Sequence, residues 1–188
     1  MNIAHDVRAR GTDLRDGTRK VSDLEPQQEA VAQWLVGIRK ATVVILDVDV
    51  VQLQDDLAVR DDLLVLVNGG DGLEYARVDL TGSLAAGAYL SISIEAQNGA
   101  PDGVALIDTA SGALLDALSY EGEITAAVIG SQTYNLVEGT ALAATVADSN
   151  TVDGSLSRIP DGHDTNNAAS DWAFTQTKTP GAANIASP

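Results

Sequence analysis

Short runs of Val, Leu, Ile and other strand-forming residues recur along this chain, and clusters of Gly, Asn, Asp and Pro interrupt them. No segment with helical periodicity separates one run from the next, which argues against a parallel sheet with alternating helices. The pattern predicts an all-β protein in which antiparallel sheets pack face to face as a β-sandwich. The runs span residues 42–53, 63–67, 73–80, 89–95, 104–108 and 114–120.

Two of the turn clusters have the composition of hairpin turns. Asn68–Gly72 joins the second and third runs, and Thr109–Gly112 joins the last two. Gly, Asn and Asp favour such turns because they reach the backbone conformations that tight turns need. Two closing strands are predicted at Ser155–Ile159 and Trp172–Thr175, and Pro180 ends the second because proline has no N–H to donate.

Trp172 lies in the last predicted strand, beside Ala173 and Phe174. On the surface it would offer a platform for a carbohydrate or a protein partner. In the interior it would fill the core of the sandwich, as large aromatic side chains commonly do. We expect the interior position, because one of the two aromatic residues of this strand should face the core.

The first run, residues 42–53, alternates between apolar and polar residues but changes phase at Val50–Val51, which predicts one strand with a bulge or bend there. Asp47 and Asp49 would then share one face of the strand, about 6.5–7 Å apart. That spacing would suit a metal ion or an acid–base pair. The favoured interpretation is the solvent-facing side of an amphipathic strand.

The sequence before the first run has a different character. Residues 1–21 mix basic and acidic side chains with too few apolar ones to form a face, which predicts a flexible arm. Residues 22–41 predict an amphipathic helix, in which Ser22 and Glu25 have the spacing of a capping box. Its apolar stripe consists of Val31, Trp34, Leu35 and Ile38.

The charge of the chain is concentrated in its C-terminal two thirds. Residues 61–188 hold three Lys or Arg against 17 Asp or Glu, whereas residues 1–60 hold eight against ten, and the whole chain has a net charge of −16. A surface this acidic repels phosphate backbones, which predicts that the C-terminal part does not bind nucleic acid. It is compatible with binding a cation or a basic partner.

Several functional classes find no support in the composition. The chain has no Cys, which excludes disulfides and Cys-ligated zinc. No apolar run reaches about 18 residues, so no transmembrane segment is predicted. The N-terminal sequence MNIAHDVRARG has no apolar region typical of a signal peptide, so an exported protein would carry its export signal elsewhere or be represented here by a fragment.

No catalytic residue is predicted. The two histidines are His5, in the predicted arm, and His163, in a Pro-Asp-Gly-His-Asp turn, and no Gly-x-Ser-x-Gly motif accompanies them. The Gly-rich segment Asn68–Gly72 joins two strands instead of opening a helix, so it does not predict a phosphate-binding loop.

The segment from Asp148 to Gly154 is similar to a calcium-binding loop, in which oxygen ligands alternate before a glycine turn. Its spacing is one residue longer than the EF-hand pattern, and the closing bidentate Glu is absent. Asp, Asn and Gly are also the residues of polar turns, which is the alternative interpretation. Calcium remains the best ligand hypothesis, and its candidate ligands are Asp148, Asn150, Asp153, Asp161 and Asp164.

Five segments carry a family resemblance through their order and spacing, and they lie at residues 64–69, 80–87, 102–108, 118–122 and 154–184. Together they resemble the lamin tail domain found in bacterial surface and secreted proteins, over residues 63–184. The resemblance implies an immunoglobulin-like β-sandwich over residues 42–184, with residues 185–188 as a tail. It implies a non-catalytic binding or tethering module of an exported or surface-associated multidomain protein, without a cofactor. Such modules are extracellular or on the cell surface and are often attached to a hydrolase domain, and their partner here would be an unknown protein or cell-surface component.

A second resemblance covers Gln27–Asp49, whose helix and strand are similar to a late helix–strand unit of endonuclease/exonuclease/phosphatase domains. In that family the strand ends in Gly-Asp-x-Asn, whereas this chain has Leu46-Asp47-Val48-Asp49 and lacks both the Gly and the Asn. The alternative function is therefore a degenerate or accessory fragment of a metal-dependent phosphoesterase or nuclease.

Overall fold

The structure is a computed structural model that describes residues 62–97, 99–148 and 151–188, together with the backbone of three earlier strands. Those strands are β1 (Thr18–Lys20), β2 (Thr42–Asp47) and β3 (Val50–Gln54). The predicted helix over residues 22–41 lies outside the described residues, as does most of the predicted arm. The last part of that arm includes β1, which pairs parallel to a strand of the main sheet.

Strands dominate the described residues, which confirms the predicted all-β class; the immunoglobulin-like type of sandwich remains a prediction. The strands are β4 (Asp62–Asn68), β5 (Leu73–Leu80), β6 (Tyr89–Ser93), β7 (Asp102–Asp108), β8 (Ala113–Tyr120), β9 (Ala127–Ile129), β10 (Gln132–Tyr134), β11 (Ser155–Arg158) and β12 (Trp172–Thr175). A single four-residue helix, α1 (Ala168–Asp171), occurs among the described residues. No helix in this part of the chain is long and apolar enough to cross a membrane.

The main sheet has the strand order β10-β9-β5-β4-β7-β8, and β1 pairs with β5. Both predicted hairpins are confirmed, because β4 pairs antiparallel with β5 and β7 pairs antiparallel with β8. The two hairpins join through β4 and β7, which also run antiparallel. In the β4–β5 turn, the Asn68 side chain accepts a hydrogen bond from the Gly70 N–H at 2.7 Å, as Asn does in tight turns.

The two central strands, β4 and β7, are buried on both faces. Leu64 and Leu66 of β4 belong to one apolar cluster, whereas Val65 and Val67 belong to another on the opposite face. This is why the β4 sequence is an uninterrupted apolar run, since a strand covered on both sides has no solvent-facing positions to fill with polar residues.

One face of the main sheet packs against the two smaller sheets. Ile92 of β6, Leu156 of β11 and Trp172 of β12 share one buried cluster with Leu106 and Leu118 of the main sheet. The opposite face is covered by the segment that follows β8, in which Ile124, Ala127, Ile129 and Leu136 are buried. The apolar core is thus divided by the main sheet into two layers.

The closing strands appear as predicted, because β11 and β12 form an antiparallel pair. Trp172 is 4% exposed and belongs to the larger apolar cluster, which confirms its predicted place in the interior. Phe174 packs against the same cluster from a partly buried position.

The first run is two strands, and the prediction of one bulged strand was wrong. Asp47 pairs opposite Val50 in an antiparallel hairpin of β2 and β3, so the chain reverses direction between them. A reversal changes the phase of the apolar pattern just as a bulge does, which is why the alternation alone misled. The predicted shared face of Asp47 and Asp49 is not described, because β2 ends at Asp47 and Asp49 lies outside the described residues.

We expect Leu106→Ala to lower the free energy of unfolding by about 2–5 kcal/mol, because its fully buried side chain would leave a cavity in the larger cluster. The matched control is Leu73→Ala, since Leu73 is 49% exposed, and we expect a loss of no more than about 0.5 kcal/mol there. Urea unfolding at neutral pH measures both changes. Equal losses for the two variants would contradict this assignment of the core.

Candidate functional site

Arg158 is a fully buried cation, and its side chain is 0% exposed. It ends β11 and stands directly opposite Trp172 of β12 in the antiparallel register. Its guanidinium carbon lies 4.8 Å from the centre of the Trp172 ring. Cross-strand neighbours lie close enough for such stacking, and an aromatic face attracts a guanidinium because the ring carries negative charge on that face.

Four carboxylates surround the Arg158 guanidinium, and we call the five residues together the Arg158 cluster. Its Nη2 lies 2.5 Å from Oδ1 of Asp116 and 3.4 Å from Oε2 of Glu138. Its Nη1 lies 3.1 Å from Oδ1 of Asp164 and 3.6 Å from Oδ2 of Asp171. Because these residues belong to β8, the segment after β10, the loop before α1 and α1 itself, one cation joins four parts of the chain.

The polar loop before α1 is organised by the same cluster. Asp171 accepts hydrogen bonds from the Thr165 N–H at 2.8 Å, the Thr165 hydroxyl at 2.7 Å and the Asn167 N–H at 3.3 Å. Asp164 accepts one from the Asn166 N–H at 2.9 Å, and Asn166 has a positive φ of 54°. These Asp and Asn residues therefore build the turn, and the two Asp residues also pair with Arg158.

The cluster changes the pKa values of two of its carboxyl groups in opposite directions. Burial on its own raises the pKa of Asp171, but the hydrogen bonds from Thr165 and Asn167 and the charge of Arg158 outweigh burial, so its pKa is lowered. Burial also raises the pKa of Glu138, and the nearby Asp164 adds to the increase. Arg158 and two hydrogen bonds oppose it without cancelling it, so the pKa of Glu138 remains raised.

The predicted calcium ligands occupy separate places. Asp153 is 81% exposed, and its Oδ1 lies 2.6 Å from Nζ of Lys178. Asp161 accepts hydrogen bonds from the Tyr89 hydroxyl and the Asn184 N–H, each at 2.7 Å. Asp164 belongs to the Arg158 cluster.

The remaining candidates are Asp148, whose charge contributes to the raised pKa of Glu121, and Asn150, which lies outside the described residues. Within the part of the chain that the structure describes, no three His, Asp or Glu residues are arranged to hold a metal ion. The four described candidates are therefore not gathered into one group, and Asp153, Asp161 and Asp164 each have a different partner.

A second group of ionisable residues lies where β4, β7 and β8 reach the same end of the main sheet. Asn68, Asp102 and Tyr120 form a cross-strand row there, because each stands opposite the next in the antiparallel register. Glu121 and Asp148 lie close enough to add their negative charges to that of Asp102. With Tyr75 of β5, these residues form what we call the acidic end, made of Tyr75, Asp102, Tyr120, Glu121 and Asp148.

Every pKa shift resolved at the acidic end is upward. Burial raises the pKa of Asp102, and the charge of Asp148 adds to it against a hydrogen bond from Gly99. Burial raises the pKa of Glu121 too, with Asp148 and Asp102 adding to the increase. The pKa values of the Tyr120 and Tyr75 hydroxyls are raised by burial and by the charge of Asp102.

Neither group was predicted from the sequence. Arg158 could have been singled out, because it is the one Lys or Arg between Arg77 and Lys178 and it stands in a predicted strand. Its four carboxylate partners could not, because the contacts come from distant parts of the chain. The acidic end depends on a strand register that places Asp102 opposite Tyr120.

We expect Arg158→Met to lower the free energy of unfolding by about 3–5 kcal/mol, because it leaves several buried carboxylates without a cation. The matched control is Arg77→Met, since Arg77 forms a partly exposed ion pair with Glu74. Such surface pairs contribute about 0–1 kcal/mol. Urea unfolding at pH 7 compares the two variants, and a smaller loss for Arg158→Met than for Arg77→Met would contradict the structural role of the cluster.

We expect the stability that Asp171 contributes to be lost in acid. Since its pKa is lowered in the folded state, its contribution is complete above the pKa of an unfolded Asp, about 3.9, and is lost as the pH falls through the lower folded value. We expect Asp171→Asn to be less stable than the unmodified chain at pH 7, and the difference to narrow as the pH falls below about 4. Urea unfolding across this pH range measures it, with Asp153→Asn as the exposed control. A difference that stays constant with pH would contradict the assignment.

Comparison with known proteins returns no relative for this chain. No protein-family model matches it, and neither a curated protein nor a solved structure does. The resemblance to the lamin tail domain therefore depends on the sequence segments already described, and the family of this chain stays a prediction.

Proposed function

We propose that this chain is a non-catalytic binding or tethering module of an exported or surface-associated multidomain protein, and that its partner presents a basic surface. The observation that carries the proposal concerns the three basic side chains of residues 61–188, Arg77, Arg158 and Lys178. All three form ion pairs within the fold, and the same part of the chain holds 17 Asp or Glu against these three cations.

The three ion pairs lie in different parts of the fold. Arg77 pairs with Glu74 on β5, Lys178 pairs with Asp153, and Arg158 is enclosed in its cluster. A net charge of −14 over residues 61–188 creates a field that attracts positively charged partners and raises the rate of association with them. A salt-dependent contact with a basic protein surface is the interaction that this field favours.

The histidine–aspartate pair also supports a structural role. His163 Nε2 lies 3.6 Å from Asp171 Oδ1, a separation longer than a hydrogen bond, and His163 is exposed. Both oxygens of Asp171 already accept hydrogen bonds from the loop before α1. This carboxylate is committed to holding the loop and Arg158.

The sequence resemblance adds the tethering role and the location. Lamin-tail-like modules of bacteria are attached to larger exported proteins, where they bind or connect without catalysing. The division of the apolar core into two layers by one sheet supports this role as well, because a rigid framework presents its surface groups in fixed positions.

The test is cross-linking by a carbodiimide, which couples carboxylates directly to lysine amines, with the tagged chain expressed in the cells that naturally produce it. We expect a partner protein joined through its lysines, with a yield that falls when the cells are washed in 1 M salt before coupling. Absence of any cross-linked partner in both conditions would contradict the binding role.

The non-catalytic part of the proposal is tested by assaying the whole chain on phosphodiester substrates with Mg²⁺ or Mn²⁺. We expect no turnover above the rate of the metal ion alone. Turnover that is lost in Asp47→Asn and kept in the control Asp153→Asn would overturn the proposal in favour of a phosphoesterase fragment.

A further inference from the structure

The two edges of β5 are covered in different ways. On one edge, β4 pairs with β5 from Leu73 to Leu80. On the other, which we call the outer edge, β9 pairs with β5 at Leu73 and β1 pairs with it at Arg77–Asp79. A strand edge presents N–H and C=O groups that can pair with a further strand. The outer edge therefore depends on two short pairings for its cover.

β1 reaches this edge from a distant part of the chain. It is a three-residue strand within the segment predicted to be an arm, and it runs parallel to β5. The register places Thr18 opposite Arg77, Arg19 opposite Val78 and Lys20 opposite Asp79. β5 itself spans eight residues, so β1 covers less than half of its length. A pairing this short is weak, because few main-chain hydrogen bonds hold it.

β5 is a preformed template for the addition of a strand. Its other edge is paired with β4, and Val78 and Leu80 are buried in the larger apolar cluster, at 3% and 2% exposure. Tyr75 anchors the strand as well, because its hydroxyl accepts a hydrogen bond from the Gln97 N–H at 2.9 Å. A template that is already ordered loses little conformational entropy when a further strand binds to it.

The segment that covers the outer edge is basic. Residues 15–20 hold three Lys or Arg and one Asp, whereas residues 61–188 hold three Lys or Arg against 17 Asp or Glu. The register places Lys20 opposite Asp79. Opposite charges on neighbouring strands stabilise the pairing of those strands, and salt weakens their attraction. Backbone pairing and charge therefore both favour a basic strand at this edge.

We infer that the outer edge of β5 is a strand-addition site for an extended basic segment of a partner protein, and that Thr18–Lys20 occupies this edge until that segment displaces it. The inference rests on the proposed function, since it assigns the contact with the basic partner to one edge. Strand addition draws affinity from main-chain hydrogen bonds and specificity from alternate side chains. A longer segment has an advantage over β1, because it can also pair with residues 74–76 of β5.

Occupancy by the chain's own strand regulates the site. Because β1 belongs to the same chain as β5, a partner competes with a strand that is present at a high effective concentration. The apparent affinity for the partner is then reduced in proportion to the fraction of molecules in which the edge is free. Release of β1 should raise the affinity, and permanent attachment of β1 should abolish binding.

An engineered disulfide tests the register of β1 in the whole chain, which has no Cys of its own. The pair Lys20→Cys with Asp79→Cys joins residues that stand opposite each other, and a separation of about 5 Å between neighbouring strands suits a disulfide. The control pair, Thr18→Cys with Asp79→Cys, is offset by two residues, which adds about 6.6 Å along the strand. We expect the first pair to oxidise within one chain and the control pair to remain largely reduced.

Binding is measured with a fluorescent peptide that has the sequence of residues 15–22, Arg-Asp-Gly-Thr-Arg-Lys-Val-Ser. The double variant Arg19→Pro, Lys20→Pro removes N–H donors from β1. It should bind the peptide about tenfold more tightly than the unmodified chain, as when an edge that is about nine-tenths occupied becomes free. The control Arg19→Gln, Lys20→Gln removes the same charges but keeps the N–H groups, and should change the affinity by less than about threefold.

The disulfide variant gives a second measurement that does not depend on proline. The oxidised form of Lys20→Cys, Asp79→Cys holds β1 on the edge permanently and should not bind the peptide. The reduced form of the same variant is its matched control, and we expect it to bind, because β1 can then leave the edge.

Four results would overturn the inference. Equal oxidation of the two Cys pairs would contradict the register of β1, and a disulfide between two molecules would show that a second copy covers the edge. Equal binding of a peptide with an N-methylated backbone, which keeps the charges and lacks the N–H donors, would indicate attraction by charge alone. Unchanged cross-linking of the cellular partner by the oxidised Lys20→Cys, Asp79→Cys variant would place the contact elsewhere while leaving the proposed binding role intact.

Discussion

The fold depends on one buried cation. Arg158 is the point where β8, the segment after β10, the loop before α1 and α1 itself meet, and the side chain stacks on Trp172 inside the core. A buried ion pair is not in itself a strong source of stability, because both partners lose their hydration. Its effect is to raise the free energy of alternative arrangements, since any shift of these segments would leave carboxylates buried without a positive charge.

In both ionic groups of this protein, the carboxylates outnumber the described cations. In the Arg158 cluster, four carboxylates share one guanidinium, and hydrogen bonds from the loop before α1 stabilise the charged form of Asp171. At the acidic end no described cation is present, and the pKa values of Asp102 and Glu121 are raised. In the first group a guanidinium thus offsets part of the negative charge, whereas in the second group both of these carboxyl pKa values are raised.

The sequence was informative wherever short-range patterns decide the structure. The hairpins at Asn68–Gly72 and Thr109–Gly112 follow from turn residues between apolar runs, and the burial of Trp172 follows from its place in a strand. The hairpin of β2 and β3 was missed because the sequence between these strands, Val48-Asp49, contains no Gly or Pro. A change of phase in the alternation has two physical causes, and local sequence does not separate them.

Short-range sequence patterns did not predict the contacts between residues that are distant in the chain. Asp116 and Arg158 are 42 positions apart, and their pairing requires the whole arrangement of sheets to be known. The same holds for the row of Asn68, Asp102 and Tyr120, which exists only in the register of β4, β7 and β8. The acidic residues of the loop before α1 looked like metal ligands because turn formation and metal binding use the same side chains.

The position of β4 and β7 at the centre of the main sheet has a consequence for how the protein opens. Each strand is hydrogen-bonded to neighbours on both edges and covered by apolar side chains on both faces. Water cannot reach their backbone amides through fraying of an edge or movement of one layer. Their amide hydrogens should therefore exchange with solvent only when the whole domain unfolds. The exchange rates of these two strands would then report the free energy of global unfolding.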